Sequence, residues 1–225
     1  MKKAKISEVF FSLQGEGPYA GTAQIFIRFF DCNINCRYCD TRQGNYRYYT
    51  PEQLALKVGK MERRYRPQYL CLTGGEPLLE ALFIREFLKR LKSKTAVYLE
   101  TNGILCDEFV RIKAQVDTIA MDIKLPSATG EPAFWKEHER FLRAAKGMDI
   151  HAKSIVTLAT RSADFKKAVN LLRRVDPKII FILQPNHAEL GSRLLKKMIE
   201  YQKYSRDKLS GVRIMPQMHK FLEVR

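Results

Sequence analysis

The regular alternation of strands and helices is the feature that most limits how this chain can fold. Apolar residues recurring with periods of about 2 and about 3.6 predict a strand followed by a helix, repeated along most of the sequence. The predicted strands are residues 69–73, 96–101, 118–123, 150–158, 179–184 and 212–215, and the predicted helices are residues 78–91, 107–113, 134–145, 163–174 and 193–204. Such units build a parallel sheet covered by helices. Right-handed crossovers would curl about six of them into a partial barrel, an α/β fold of the (β/α)6 type.

The segment before these units supplies further elements. Residues 7–13 alternate loosely and run into a glycine-rich turn at residues 14–18, and the apolar run at residues 24–30 predicts a buried strand. Thr50 and Gln53 are typical of a helix start, with an N-cap, a proline at the first helical position and a capping-box partner. No linker interrupts residues 1–225, so we expect one domain. Its function is expected at the loops that follow the strands.

Three of the five cysteines lie close together, at Cys32, Cys36 and Cys39. This arrangement is a poor disulfide framework and a good metal site in a reducing compartment. Three thiolates at these spacings can hold three corners of an iron–sulfur cube, which leaves one iron open to a ligand. The alternative is a structural zinc site with Cys71, Cys106 or a histidine as its fourth ligand. The spacing favours the cluster.

Polar groups follow three predicted strands where apolar residues would be expected. The three segments are residues 73–77 (TGGEP), 100–103 (ETNG) and 122–124 (DIK). The two glycines of the first segment allow positive φ and a close approach of a ligand to the backbone. Because the strands of a barrel end at one rim, these groups are expected to converge there. The pattern therefore predicts a binding site at that rim.

The formal net charge of +16 is spread along the chain. This distribution indicates solvated helix faces, although such a field could attract an anionic small molecule or an acidic electron-donor protein. No apolar run approaches the ~18 residues of a membrane span, and the N-terminus lacks the pattern of a secretory signal. We expect a cytoplasmic protein that binds neither a membrane nor, stably, a nucleic acid.

The cysteine spacing, the TGGEP turn and the order of strands resemble radical S-adenosylmethionine (SAM) enzymes. The resemblance implies a 4Fe–4S cluster on Cys32, Cys36 and Cys39, with SAM chelating the open iron and cleaved there to a 5′-deoxyadenosyl radical. No side chain is then expected to be catalytic, because the cluster and the cofactor carry the chemistry. The implied SAM-binding residues are Tyr38, Cys39, Asp40, Gly75, Asp122, Ile123, Lys124, Gln184, Pro185, Asn186 and His187.

A narrower resemblance covers nearly the whole chain. Its segments are residues 11–17 (FSLQGEG), 26–28 (FIR), 39–41 (CDT), 99–103 (LETNG), 183–185 (LQP) and 216–220 (PQMHK). They resemble the 7-carboxy-7-deazaguanine synthase family of queuosine and 7-deazapurine biosynthesis. The resemblance implies a magnesium-dependent lyase that converts 6-carboxy-5,6,7,8-tetrahydropterin to 7-carboxy-7-deazaguanine with loss of ammonia.

The same resemblance implies roles for single residues. An N-terminal loop at about residues 7–20 would contact the pterin through Leu13, Gln14 and Gly15. Thr73 would contact it from the sheet, Arg28 would pair with its carboxylate, and Thr41 would bind Mg²⁺ through its hydroxyl. The phenylalanine and isoleucine neighbours of Arg28 predict that this strand residue is buried rather than facing water. A C-terminal tail at about residues 212–225 completes the chain.

Two other functions remain open at this point. A radical SAM activating enzyme, which acts on a glycine of a partner protein, uses the same cysteine spacing. The LQGEG loop and Arg28 favour a small carboxylated substrate instead. A zinc-stabilised RNA-binding module would explain the basic charge but leaves the TGGEP turn unexplained. The family resemblance also implies a homodimer and an electron donor such as flavodoxin or ferredoxin.

Overall fold

One continuous sheet organises the molecule. The computed structural model describes residues 3–40 and 44–223. Within these residues the strands are β1 (Ala4–Leu13), β2 (Ala23–Phe29), β3 (Arg47–Tyr49), β4 (Tyr69–Gly74), β5 (Ala96–Thr101), β6 (Thr118–Asp122), β7 (Asp149–Val156), β8 (Ile180–Pro185) and β9 (Val212–Ile214). They join in the order β3-β1-β2-β4-β5-β6-β7-β8-β9.

Helices connect the strands. They are α1 (Pro51–Tyr65), α2 (Ala81–Arg90), α3 (Cys106–Ile112), α4 (Pro126–Thr129), α5 (Trp135–Ala144), α6 (Ser162–Val175), α7 (Ser192–Arg206) and α8 (Met218–Phe221). The predicted start of α1 is confirmed. The Thr50 hydroxyl accepts the Gln53 backbone N–H at 3.3 Å, and the Gln53 side chain accepts the Thr50 N–H at 2.9 Å. Two backbone donors that the helix leaves unpaired are satisfied in this way.

The connections make the sheet a run of βα units. Strand β2 and strands β4 to β9 run parallel to one another, and β1 pairs antiparallel with both β2 and β3. Helices α1, α2, α3, α5, α6 and α7 each lie between two successive parallel strands. The predicted α/β fold of the partial (β/α)6 type is therefore confirmed.

The two faces of the sheet bury separate apolar clusters. The larger cluster lies between the sheet and the helices and includes Phe83 of α2, Leu99 of β5 and Phe109 of α3. The smaller one lies on the concave face, where Phe10 of β1 stacks on Phe26 of β2 with ring centroids 5.1 Å apart. A strand buried on both faces needs apolar residues at odd and even positions alike, which explains the continuous apolar runs in the sequence.

Along the concave face, polar side chains replace apolar ones towards the carboxyl ends of the strands. Side chains two positions apart share a face of a strand. Phe26, Cys71, Tyr98 and Ala120 belong to the inner cluster. Two residues further along their strands come Arg28, Thr73, Glu100 and Asp122. The inside of the partial barrel is thus apolar at mid-height and polar at the rim.

The structure corrects several predicted boundaries. The predicted helix 78–91 is a 3-10 turn, Pro77–Glu80, followed by α2. The turn is tight because the Glu76 carboxylate accepts the Leu78 backbone N–H at 3.1 Å. Strand β3 and the four-residue helices α4 and α8 were absent from the prediction. Segments of three or four residues are too short to display a period.

Thr50→Ala is expected to lower the free energy of unfolding by about 1 kcal/mol, because one N-terminal donor of α1 loses its acceptor. Thr50→Ser keeps that acceptor and serves as the matched control. Urea unfolding should give a lower midpoint for the alanine variant with an unchanged slope. Equal midpoints for both variants and the parent would contradict the capping role.

Candidate active site

The loop between β2 and β3 presents the three predicted cluster ligands to one cavity. Cys32, Cys36 and Cys39 all line a cavity of about 300 Å³ at the rim. Cys36 is buried, whereas Cys32 and Cys39 are exposed. The Arg37 N–H donates to the Thr129 carbonyl at 2.8 Å, and the Cys39 N–H donates to the Cys36 carbonyl at 3.1 Å. The loop is thus held against the end of α4.

The thiol donors suit a cluster better than a single ion. Across residues 3–40 and 44–223, no group of three or more His, Cys, Asp or Glu side chains is arranged to hold one metal ion. Thiolates on separate corners of a cube need not converge on a single point. Cys71 and Cys106 are buried in the two apolar clusters, away from the cavity. The zinc alternative therefore lacks its fourth thiolate.

The glycine turn after β4 forms part of the cavity wall. Gly74 has φ +118°, and a Cβ built on it would lie 2.3 Å from the Phe29 carbonyl oxygen. A Cβ on Gly75 would lie 2.2 Å from the Asp31 carbonyl oxygen. The Gly75 N–H donates to the Phe29 carbonyl at 2.9 Å. The turn therefore packs directly against the start of the cysteine loop, where any side chain would force the two apart.

Glu76 ties this turn to the loop after β5. Its buried carboxylate accepts hydrogen bonds from the Thr101 hydroxyl at 2.9 Å and the Asn102 N–H at 2.8 Å, in addition to the Leu78 N–H. Burial raises the pKa of Glu76 to about 7, and the three donors oppose that shift because they favour the ionised form. Glu76 is a structural acceptor rather than a cavity residue.

Charged side chains alternate across the centre of the site. Lys124 pairs with Asp122 at 2.8 Å, Lys153 lies 3.6 Å from the same carboxylate, and Glu16 forms an ion pair with Lys153. Burial alone would raise the pKa of Glu16, but the charge of Lys153 lowers it to about 2. The surrounding carboxylates raise the pKa of Lys153 against its desolvation. Both groups are therefore ionised at neutral pH.

A second cavity of about 480 Å³ adjoins the first. The predicted substrate residues Leu13, Gln14, Gly15, Arg28 and Thr73 all line it. The two cavities share the walls formed by Glu16, Asp40, Thr73, Glu100 and Gln217.

Glu100 connects two of the residues that line the second cavity. The Gln14 side-chain amide donates to Glu100 Oε1 at 2.9 Å, and the Thr73 hydroxyl donates to Glu100 Oε2 at 2.5 Å. These contacts join the N-terminal loop to β4 and β5. From the sequence, Glu100 was only one of the polar residues at a strand end. In the structure it lines both cavities.

The prediction that Arg28 is buried was wrong, because the residue is only partly buried. Its side chain is 31% exposed and pairs with Glu8 at 3.1 Å. The apolar neighbours Ile27 and Phe29 are buried on the opposite face of the strand. Alternation therefore turns Arg28 inward to the open rim, where its guanidinium reaches the second cavity.

The predicted SAM-binding residues at positions 184–187 divide into two groups. Pro185, Asn186 and His187 line a third cavity of about 330 Å³, together with Tyr38 and Asp40. The side chain of Gln184 lines none of the three cavities and instead donates to Glu16 at 3.1 Å.

Ile123 is a further predicted ligand whose side chain lines none of the three cavities. The Ile123 side chain lies in the larger apolar cluster, so only its backbone is available to a ligand. Tyr38, Asp40, Gly75, Asp122 and Lys124, by contrast, line the cysteine cavity. Thr41, the predicted magnesium ligand, lies outside the described residues.

The C-terminal segment covers the N-terminal loop. The Met218 N–H donates to the Gly15 carbonyl at 2.8 Å, and the Gln217 side chain donates to Glu16 at 2.8 Å. Lys220 pairs with Asp40 at 2.5 Å. Sequence reasoning did not identify Glu16, Lys153 and Gln217 as site residues. Only the quoted LQGEG and PQMHK motifs pointed to two of them.

Comparison with known proteins points to one family. Residues 26–172 match the radical SAM superfamily. The 7-carboxy-7-deazaguanine synthase of Geobacter sulfurreducens is 34% identical, with 97% of each chain covered. The synthase of the same name from Methanothermobacter thermautotrophicus is 33% identical and covers 100% of this chain and 99% of its own. None of these names favours an activating enzyme.

Solved structures share the fold. QueE from Escherichia coli superposes with a TM-score of 0.65 at 21% identity, covering 96% of this chain and 95% of its own. Streptococcus suis SuiB bound to S-adenosylmethionine superposes with a TM-score of 0.57 at 14% identity, covering 83% and 48%.

Glu76→Gln is expected to lower the free energy of unfolding by about 1–3 kcal/mol, because an amide NH₂ would face one of three buried donors. Glu200→Gln, on the exposed face of α7, is the matched control and should be neutral. Thermal unfolding of both variants beside the parent measures the effect. A Glu76 variant as stable as the control would mean that the carboxylate does not brace the turn.

Proposed function

This chain belongs to the 7-carboxy-7-deazaguanine synthase family of the radical SAM superfamily, and from that membership we propose its reaction. The substrate is 6-carboxy-5,6,7,8-tetrahydropterin, and the product is 7-carboxy-7-deazaguanine, formed with loss of ammonia. The supporting observation is the shared wall between the cysteine cavity and the cavity of the N-terminal loop. A cofactor in the first cavity would lie beside a substrate in the second.

The cysteine cavity fits a 4Fe–4S cluster and SAM. Cys32, Cys36 and Cys39 would hold the cluster, whose positive charge would offset the desolvation that raises the pKa of the Cys32 and Cys36 thiols. When bound, the cluster and SAM supply a carbon-centred radical that abstracts hydrogen. Gly75 offers a backbone without a side chain, which suits close approach of the methionine part of SAM.

The remaining SAM contacts would come from the rim. Asp122 and Lys124 offer a carboxylate and an ammonium to the amino-acid end of the cofactor, beside the ring of Tyr38. Asn186 and His187, which line the third cavity, would contact the adenosine. Gln184 would act through Glu16, since its side-chain amide is already committed to that carboxylate.

The second cavity fits a flat, polar, carboxylated ring. Arg28 would take the substrate carboxylate as a bidentate partner, with Glu8 giving up that contact. Gln14 and Thr73 are held in place by Glu100, which also offers an acceptor to ring N–H groups. Leu13 and Gly15 add apolar and backbone surface. Gln14, Thr73 and Glu100 are thus fixed before the substrate binds, which reduces the ordering cost of binding.

Magnesium, partners and location complete the proposal. Thr41 would bind Mg²⁺ through its hydroxyl, a hard oxygen ligand of the kind that ion prefers. The enzyme would act as a homodimer in the cytoplasm, with a flavodoxin or ferredoxin as reductant. The positive charge of the chain suits an acidic donor protein. No helix within the described ranges is long and apolar enough to cross a membrane.

Anaerobic reconstitution with iron and sulfide, followed by reduction and addition of SAM, Mg²⁺ and the pterin, tests the reaction by mass spectrometry. The parent is expected to form 7-carboxy-7-deazaguanine. Cys36→Ala should lose both the brown cluster absorbance and the product, because two thiolates are too few to retain the cluster.

Cys106→Ala is the matched control, since that thiol is buried in the core away from the cavity. It should keep its colour and its turnover. Cleavage of SAM by the parent without pterin conversion would refute the substrate and leave the superfamily chemistry intact. Full turnover by Cys36→Ala would refute the cluster assignment.

Arg28→Ala is expected to raise the KM for the pterin by ~10–100-fold, the equivalent of about 1.5–3 kcal/mol for a charged hydrogen-bonded contact. SAM cleavage should persist, because Arg28 lines only the second cavity. Arg63→Ala, an exposed arginine on α1, is the control. An unchanged KM in the Arg28 variant would remove this residue from the substrate site.

A further inference from the structure

A chain of four alternating charges runs from the N-terminal loop to the cysteine loop. Glu16 pairs with Lys153, whose ammonium lies 3.6 Å from Asp122, and Asp122 lies 2.8 Å from Lys124. The Lys124 ammonium then lies 5.7 Å from the centre of the Tyr38 ring. The chain therefore begins on the loop that lines the second cavity and ends beside the cluster ligands.

Placing these charges away from water lowers the free energy of unfolding, so stability does not explain their position. The side chains of Lys153 and Glu16 are 9% and 15% exposed. Removing two charges from water costs several kcal/mol per ion, and a buried pair is often no better than apolar residues of the same volume. An ion pair at this place is therefore better explained by the geometry it imposes than by the free energy of folding.

Lys153 supplies the charge in a set of three contacts on Glu16. The other two donors are the neutral side-chain amides of Gln184 at 3.1 Å and Gln217 at 2.8 Å. Asp122 and Lys153 are neighbours in the register of β6 and β7, so the sheet itself holds the lysine in place. A rigid strand thus presents one cation to a carboxylate carried by a loop.

Glu16 also makes a hydrogen bond to the loop residue Gln14 before it. Its backbone N–H donates to the Gln14 side chain at 3.1 Å, and that side chain donates to Glu100 in the shared wall. The loop is closed by the Gln14 N–H on the Thr22 carbonyl and the Gly21 N–H on the Gln14 carbonyl, both at 2.8 Å. Displacing Glu16 would therefore move the wall between the two cavities.

We propose that Lys153 is a positioning residue that holds Glu16 in this wall and so aligns the substrate with the cofactor. The inference rests on the proposed function for what the alignment achieves. Its consequence is that loss of Lys153 separates cofactor cleavage from product formation. Because Lys153 acts through Glu16, removing both residues together should cost little more than removing Lys153 alone.

The variants are Lys153→Met, which keeps the length without the charge, Glu16→Gln, and the double variant. Lys167→Met, on the exposed face of α6, is the matched control. Glu16→Gln breaks the Glu16–Lys153 ion pair from the loop side. It therefore tests the same contact if Lys153→Met does not fold.

Hydrogen exchange measures the loop without any substrate or cofactor. Backbone amides of residues 14–17 and 19–21 should exchange about tenfold faster in Lys153→Met and in Glu16→Gln, while the strand amides stay protected. The control should match the parent. Unchanged exchange in both folded variants would overturn the positioning role, whatever the reaction proves to be.

The second readout is the amount of product formed per 5′-deoxyadenosine released. The ratio should fall about fivefold or more in Lys153→Met and fall no further in the double variant. The loss should appear in kcat for product formation rather than in KM for the pterin. A ratio equal to that of the parent, or additive losses in the double variant, would overturn the proposal. A parent that cleaves SAM without product would instead refute the proposed function, and the exchange result would still decide the role of Lys153.

Discussion

Parallel strands that curve into a partial barrel bring all of their carboxyl ends to one rim, and the rest of the molecule depends on this geometry. Helices cover the outer face, so the strands must be apolar there along their whole length. The concave face has no such cover at the rim. The N-terminal loop and the C-terminal segment fill that opening. Polar contacts join them, because Gln217 donates to Glu16 and the Met218 N–H donates to the Gly15 carbonyl.

These polar contacts distinguish the site from the core. Glu76 and Glu16 are both removed from water, but their surroundings differ. Glu76 meets three neutral donors, and burial raises its pKa to about 7, whereas Lys153 lowers the pKa of Glu16 to about 2. The first carboxylate braces two turns and the second carries a fixed charge into the wall between the cavities. Three hydrogen-bond donors hold each of the two carboxylates in one position.

The family membership and the geometry support the same function from different directions. Relatives named 7-carboxy-7-deazaguanine synthase share about a third of the residues across the full chain, for example 34% in Geobacter sulfurreducens. Independently, the structure separates a cavity with three cysteines from one with an arginine, and makes them neighbours. A radical enzyme for a small carboxylated ring needs both cavities within reach of one another.

The sequence by itself determined the order of strands and helices, the capping box of α1 and the grouping of three cysteines in one loop, because these depend on residues that are near each other in the chain. It could not reveal that Glu16 meets Lys153, since 137 positions separate them and no local period records the contact. The sequence also led to the wrong prediction that Arg28 is buried, because apolar neighbours on the other face of β2 obscured the alternation. Only the curvature of the sheet decided which polar side chains meet, for curvature brings distant strand ends together and leaves no trace in local patterns.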